Sequence, residues 1–275
     1  MFVDKLSYQK GHISKGSDSI ERNNFSYARI KANEFYKERK MPRQPRFVLI
    51  GHPQHIIIRG NNREPIFYAE QDYQFYLEKL EKACSKHSCE LHAYVLMTNH
   101  IHLLITPNIE QGISKAIQML GRYYVQYFNN SYNRTGTLWE GRYKASLIDS
   151  ESYMLTCYRY VELNPVRANM VEHPAEYPWS SYRYNALGRT NSLINPHSIY
   201  LRLGETKAQC CDAYRALFSL HINELSLKEI REATNKSWVL GSEYFKGKIA
   251  DKLDRPIAPK KRGGDRRSEE FKANK

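Results

Sequence analysis

Two histidines two residues apart, His100 and His102, lie inside the apolar run Thr98-Asn99-His100-Ile101-His102-Leu103-Leu104-Ile105. In a β-strand successive side chains alternate between faces, so both imidazoles point the same way as Leu104, while Ile101, Leu103 and Ile105 turn towards a core. Neighbouring imidazoles can clamp a divalent metal, although the same spacing also serves a satisfied or exposed structural pair. Further along, Tyr160 and Asn164 stand four apart, which on a helix puts a phenol one turn from an amide oxygen able to complete a metal's coordination. Asn164 precedes Pro165 and is biased away from helical geometry, so that turn is expected to be distorted. Tyr158 and Tyr153 are rival nucleophiles, but Tyr158 faces another side of the helix and does not stand four before Asn164.

The elements that must position these groups follow from hydrophobic periodicity. Strand-like runs over residues 47–50 and 55–60 end in Gly60-Asn61-Asn62-Arg63, a basic, amide-rich turn. Residues 70–87 carry Tyr73, Tyr76, Leu77, Leu80 and Cys84 at helical spacing, a surface helix that packs one stripe. Residues 91–97 and 100–106 read as strands joined at Thr98-Asn99. A second long helix is expected over 112–130, bearing Lys115 and Arg122, and a short β-excursion or hairpin over 136–144 before the apolar residues 145–148. Asp149 or Ser150 can cap a third helix, with Glu151 in its first turn, that runs through Val161 until Pro165 stops or kinks it near Asn164. Strand, helix, strand, strand, helix, hairpin, helix is most economically an α+β, ferredoxin-like antiparallel sheet with helices packed on it.

Length and composition set the remaining bounds. A chain of 275 residues with 41% hydrophobic residues can bury a core in one large domain or in a domain with an accessory region. Residues 1–40 are polar and lack sustained periodicity, which predicts a weakly ordered extension; Met41-Pro42-Arg43 is a more natural start for the fold. Residues 41–188 form the main domain, closed by 174–188. A helical accessory region spans 189–254, where Ser226 can cap a helix and two short helices meeting near Gly241 suit either a helix-turn-helix or a small bundle. Residues 255–275, strongly basic, read as a disordered tail. The absence of an 18-residue apolar run and of a signal sequence predicts a soluble, cytoplasmic protein with no membrane partner. Lys and Arg number 42 against 29 Asp and Glu, and the formal charge of +13 favours a polyanion, to which 21 tyrosines add stacking surfaces for unpaired bases. Five cysteines without C-x-x-C spacing argue against a zinc knuckle and a disulfide framework.

The pair His100-Ile101-His102, the block Trp139-Glu140-Gly141-Arg142-Tyr143-Lys144 and above all Tyr158-Arg159-Tyr160-Val161-Glu162-Leu163-Asn164-Pro165-Val166-Arg167-Ala168 resemble the single-tyrosine HUH transposases, which are IS200-like. The most similar branch is the REP-associated tyrosine transposases, which Met41-Pro42-Arg43 and Arg59-Gly60-Asn61-Asn62-Arg63 also fit. The resemblance covers about residues 41–188 and implies an HUH nuclease fold. It implies a bacterial, nucleoid-associated enzyme, monomer or homodimer, that nicks and rejoins single-stranded DNA hairpins of the REP type. In that pattern His100, His102 and Asn164 hold Mg²⁺ or Mn²⁺, and Tyr160 forms a covalent 5′-phosphotyrosine. The physical logic agrees: a phenol that titrates near pH 10 is a poor nucleophile at neutral pH, so a cation on the phosphate must do much of the work. Arg59, Asn61, Asn62, Arg63, Arg122, Arg142 and Lys144 are the expected DNA contacts. The main alternative is a catalytically silent, domesticated protein that binds repeat hairpins. A replication-initiating or mobilising nicking enzyme would normally carry a helicase or larger relaxase region, for which there is no room and no phosphate-binding loop.

Overall fold

The computed structural model describes residues 46–253, except residue 48, and residues 256–258. The extension expected over residues 1–40, the Met41-Pro42-Arg43 start and most of the tail over 255–275 lie outside the described residues. The described residues form one compact unit.

Strand β1 (Gln54–Arg59) is followed by helix α1 (Glu70–Lys86), strands β2 (Cys89–Met97) and β3 (His100–Pro107), helix α2 (Gly112–Ser131), strand β4 (Lys144–Ile148) and helix α3 (Ser150–Glu162). The sheet order is β2-β3-β1-β4-β5, where β5 is Val239–Leu240. The first four strands pair antiparallel, which with the intervening helices is the ferredoxin-like α+β arrangement; β5 joins parallel to β4. Both faces are covered, so the strands are apolar along nearly their whole length. On one face Ile56, Ile58, Ile101, Leu103 and Ile105 pack with Leu80, Leu120 and Phe128 of α1 and α2. On the other, Val95, Met97, Leu104 and Ile148 meet Met154, Cys157 and Val161 of α3. Each fully buried Ile or Leu contributes about 1.5–3 kcal/mol, enough to hold the alternation of β3 in register.

α3 stops at Glu162, and a separate helical turn, Asn164–Arg167, begins with Pro165 in its first positions, as the residue before proline requires. Of the strand expected over residues 47–50, the described residues Phe47, Leu49 and Ile50 lie outside any strand, with Phe47 in the core, and Gly51 turns the chain at φ +72°. Over residues 136–144 the β-excursion forms and the hairpin does not, because their backbone groups pair with the end of β1: Asn61 N–H donates to Leu138 O at 2.9 Å and Glu140 N–H to Arg59 O at 2.9 Å.

After α3, residues around 180 and 195 run along the outer edge of β2, where Leu96 N–H donates to Trp179 O and Asn195 N–H to Leu91 O, and so cover an edge that would otherwise template association. Helices α4 (Lys207–Ala216), α5 (Glu224–Lys236) and α6 (Glu243–Ala250) complete the chain. α5 is capped by Asn223, whose Oδ1 accepts from Ser226 N–H at 2.7 Å, and not by Ser226 itself. The link between α5 and α6 contains β5, which replaces the tight turn of a helix-turn-helix. All five cysteines are buried and free, and no helix among the described residues is long and apolar enough to cross a membrane.

Candidate active site

β3 puts His100 and His102 on the α3 side of the sheet, opposite Arg59 and Ile57 of β1 and Met97 and Val95 of β2. Their rings lie 5.0 Å apart, centroid to centroid. His102 is 3% exposed, and His100 is partly exposed at the strand's first position. Burial lowers the pKa of both, His100 to about 4 with Arg59 nearby and His102 well below its usual value, so each ring is neutral at pH 7 and keeps a lone pair.

Which nitrogen carries the lone pair follows from hydrogen bonding. Asn99 Nδ2 donates to Arg63 O at 2.9 Å, which turns its Oδ1 to His100 Nδ1 at 2.6 Å; an amide oxygen only accepts, so His100 is protonated on Nδ1. His102 Nδ1 lies 2.9 Å from Nε2 of His55, and His55 Nδ1 lies 2.8 Å from Thr234 Oγ1. With the Thr234 hydroxyl donating to Ile230 O at 2.9 Å, its oxygen accepts from His55 Nδ1, which leaves His55 Nε2 as the acceptor. His55, fully buried with its pKa lowered to about 3 by burial and then by Arg167, is neutral, and His102 therefore donates from Nδ1. Both histidines of the pair thus hold Nε2 free of a proton, the state a metal ligand needs.

α3 lays Tyr160 across this pair. The Tyr160 ring is 5.8 Å from that of His102 and 5.5 Å from that of His55, edge-on to both, and is 4% exposed. Arg167, from the turn after α3, stacks its guanidinium 4.3 Å from the Tyr160 ring centroid. Its Nη2 donates to Tyr160 O at 2.8 Å and to Asn164 Oδ1 at 2.9 Å, while its Nη1 is buried with no hydrogen-bond partner in the structure. Asn164 Nδ2 donates to the carbonyls of Tyr160 and Val161, so its amide caps the end of α3. Its oxygen, already accepting from Arg167, has one remaining lone pair to offer a cation. Tyr158 is fully buried, with its hydroxyl accepting from His197 N–H at 3.2 Å, and the Tyr153 hydroxyl donates to Glu229 at 2.7 Å. Of the three tyrosines considered, Tyr160 is the one whose ring meets the histidines.

Among the described residues no group of three or more His, Cys, Asp and Glu converges to hold a metal ion. The two neighbouring imidazoles are neutral, and nitrogen donors of this kind would suit a divalent cation.

The expected DNA contacts divide between two places. Arg122 and Arg142 are exposed and line, with Arg46, Lys115, Trp139 and Tyr143, a groove of about 790 Å³ on the α2 side of the sheet, opposite the histidines. Lys144 lies elsewhere and donates to Asn235 Oδ1 at 3.3 Å. Arg59, Asn61, Asn62 and Arg63 form the joint between the two places. Gly60 bridges to Trp139, Gly60 N–H donates to Asn99 O at 2.9 Å, and Arg63 O accepts from the Asn99 side chain that orients His100. A Cβ on Gly60 would lie 2.5 Å from Glu64 O and 2.7 Å from Ile66, so only glycine allows this crossing. His55, Arg167 and Thr234 were not indicated by sequence. His55 shares strand parity with Arg59, but only the β1–β3 register makes it the diagonal neighbour of His102, and nothing local marks Thr234.

Residues 50–164 match the family model described as "Transposase IS200 like". Among solved structures, one described as a REP-associated tyrosine transposase bound to a REP hairpin is similar at 17% identity and a TM-score of 0.46, over 58% of this chain and 93% of that one. A putative transposase from Deinococcus radiodurans R1 is similar at 20% identity and a TM-score of 0.31, over 45% of this chain and 95% of that one. No curated protein matches the chain. The matched segment, residues 50 to 164, contains His100, His102, Tyr160 and Asn164 and is similar to the IS200-like transposases.

Proposed function

We propose that this chain nicks and rejoins single-stranded DNA at hairpins of the REP type, with Tyr160 as nucleophile. The observation that carries the reading is the Tyr160 ring lying 5.8 Å from His102 within one chain, beside two imidazoles whose Nε2 atoms are free. His100 and His102, with Asn164, would hold Mg²⁺ or Mn²⁺. Such a cation supplies positive charge to the scissile phosphate. Tyr160 Oη forms a bond to phosphorus as the P–O3′ bond breaks; the phenol gives up its proton and the departing 3′ oxygen takes one. The 5′-phosphotyrosine ester conserves the energy of the broken linkage, so attack by a 3′-hydroxyl rejoins DNA without ATP. Arg167 holds the backbone of Tyr160 and the Asn164 amide with one nitrogen and has a second, unpartnered one available to a phosphate oxygen.

The hairpin substrate follows from the resemblance, and the basic, aromatic groove between Arg122 and Arg142 offers the cations and stacking rings that folded and unpaired DNA require. The Arg59 to Arg63 loop touches both groove and histidines and is the route by which a single strand leaving the groove would reach them. With DNA as substrate the protein acts in the bacterial cytoplasm, at the nucleoid, as a monomer or homodimer. The test is incubation of a labelled REP hairpin with the protein and Mn²⁺, followed by denaturing electrophoresis. Wild type yields a denaturant-resistant adduct, whereas Tyr160→Phe binds the hairpin and yields none. An unaltered adduct yield in Tyr160→Phe refutes the assignment of the nucleophile. Hairpin binding by wild type without any adduct identifies the silent DNA-binding alternative.

A further inference from the structure

Helix α5 lies well beyond the transposase segment that ends at residue 164, yet it is joined to the sheet beside the histidines. Asn235 accepts from Lys144 of β4, Ser146 Oγ donates to Trp238 O at 2.9 Å, and β5 pairs with β4 directly after α5. These contacts bring Thr234, fully buried, under β1, where its hydroxyl is 2.8 Å from His55. We infer that Thr234 is a positioning residue of the active site: through His55 it fixes the proton of His102 on Nδ1 and so presents the Nε2 lone pair to the bound cation.

The chain of donors runs in one direction only. The 2.9 Å bond from the Thr234 hydroxyl to Ile230 O sets the direction: with the Thr234 proton there, the His55 Nδ1 proton goes to Thr234 and the His102 Nδ1 proton to His55. His100 reaches the same tautomer independently, through Asn99. The two ligands are therefore set by different parts of the chain, His100 by the hairpin turn and His102 by the C-terminal helical region. Without the Thr234 hydroxyl, His55 Nδ1–H has no acceptor here, the imidazole can take its other tautomer, and its Nε2–H then opposes the proton of His102. The carboxylate or carbonyl that commonly orients a metal-binding histidine is here replaced by an imidazole and a hydroxyl in series.

This inference rests on reading His100 and His102 as metal ligands, but its first test does not depend on catalysis. Long-range ¹H–¹⁵N spectra of the full-length, metal-free protein at neutral pH distinguish protonated from unprotonated ring nitrogens. In wild type, His100 and His102 should both show Nδ1 protonated and Nε2 bare; a His102 protonated on Nε2 overturns the inference without any variant. Thr234→Val keeps the shape and removes the hydroxyl, and should give His102 a mixed pattern while leaving His100 unchanged. Mn²⁺ titrated into the metal-free protein should bind about 10- to 100-fold more weakly to Thr234→Val than to wild type. Thr234→Ser, which retains the hydroxyl, should restore both. An unchanged His102 pattern and unchanged Mn²⁺ affinity in a folded Thr234→Val refute the role of Thr234, even if the hairpin adduct forms normally. A wild type that shows the expected tautomers but never forms an adduct counts against the nicking reading and leaves the hydrogen-bond chain standing.

Discussion

Glu162 lies two residues beyond Tyr160 and is fully buried. Its Oε1 accepts from Ser181 Oγ at 2.6 Å and Asn185 Nδ2 at 2.7 Å, and its Oε2 from Tyr214 Oη at 2.7 Å, so it ties the last turn of α3 to the segment covering β2 and to α4. Burial pushes its carboxyl up to about 7, against the opposing pull of the three hydrogen bonds. With an unfolded value of 4.5, the folded state binds more protons between the two, so stability from this group is complete below pH 4.5 and is lost as pH rises through about 7. The full loss is about 3 kcal/mol, with a slope of at most about 1.4 kcal/mol per pH unit. Glu162→Gln does not titrate, yet keeps an oxygen for Ser181 and Asn185 and offers an N–H to the Tyr214 oxygen. The buried neutral histidines act in the opposite sense, losing stability as pH falls below 6.5, but they are common to both proteins and cancel. Urea unfolding at pH 5, 6, 7 and 8 should therefore show the wild-type advantage over Glu162→Gln shrinking by about 2.5 kcal/mol across the range. A difference that is constant, or that grows with pH, refutes the reasoning.

Asp72 is fully buried and accepts from Tyr68 N–H, Ala69 N–H, Tyr127 Oη and Tyr132 Oη; Asp72→Ala removes the first-turn anchor of α1 and strands two tyrosine hydroxyls, and should cost about 3 kcal/mol or more by urea unfolding. A cost below about 1 kcal/mol would show the hydroxyls rehydrated at no penalty. Arg122→Gln and Arg142→Gln should each weaken hairpin binding by a similar factor across DNA sequences and lower the salt slope by about one, whereas Lys144→Gln, already paired with Asn235, should leave that slope alone; salt titrations of binding distinguish them. Arg167→Lys keeps the charge but loses the fork that spans Tyr160 O and Asn164, so adduct formation should slow by about 10²-fold with hairpin affinity little changed, and an unaltered rate would remove Arg167 from the site.

The parity of His100 and His102 was legible because a strand's period of two is a local property, and so were α1, α2 and the end of α3 before Pro165. The failures share a different cause. Residues 136–144 look like a hairpin because nothing in them shows that their backbone partners lie on β1. Residues 47–50 look like a strand because apolar residues that plug a core and those that join a sheet have the same composition. β5 is two residues long, below what any periodicity can reveal.

The same distinction governs the site. Tyr160 and Asn164 are a turn apart, so their proximity could be read from spacing, but the direction of the Asn164 amide could not, since it is decided by Arg167 folding back from the next turn. His55 meets His102 only because β1 and β3 align Ile57 with His102. One residue of slip would send His55 to the α1 and α2 face and leave His102 without its acceptor. The register is in turn held by Ile56 and Ile58 on one face and by α3 on the other, so the tautomer of a proposed ligand depends on the packing of the core. Residues proposed to carry the chemistry can be read from type and spacing, whereas the state in which they are held is a property of the assembled sheet and of the C-terminal helix docked against it.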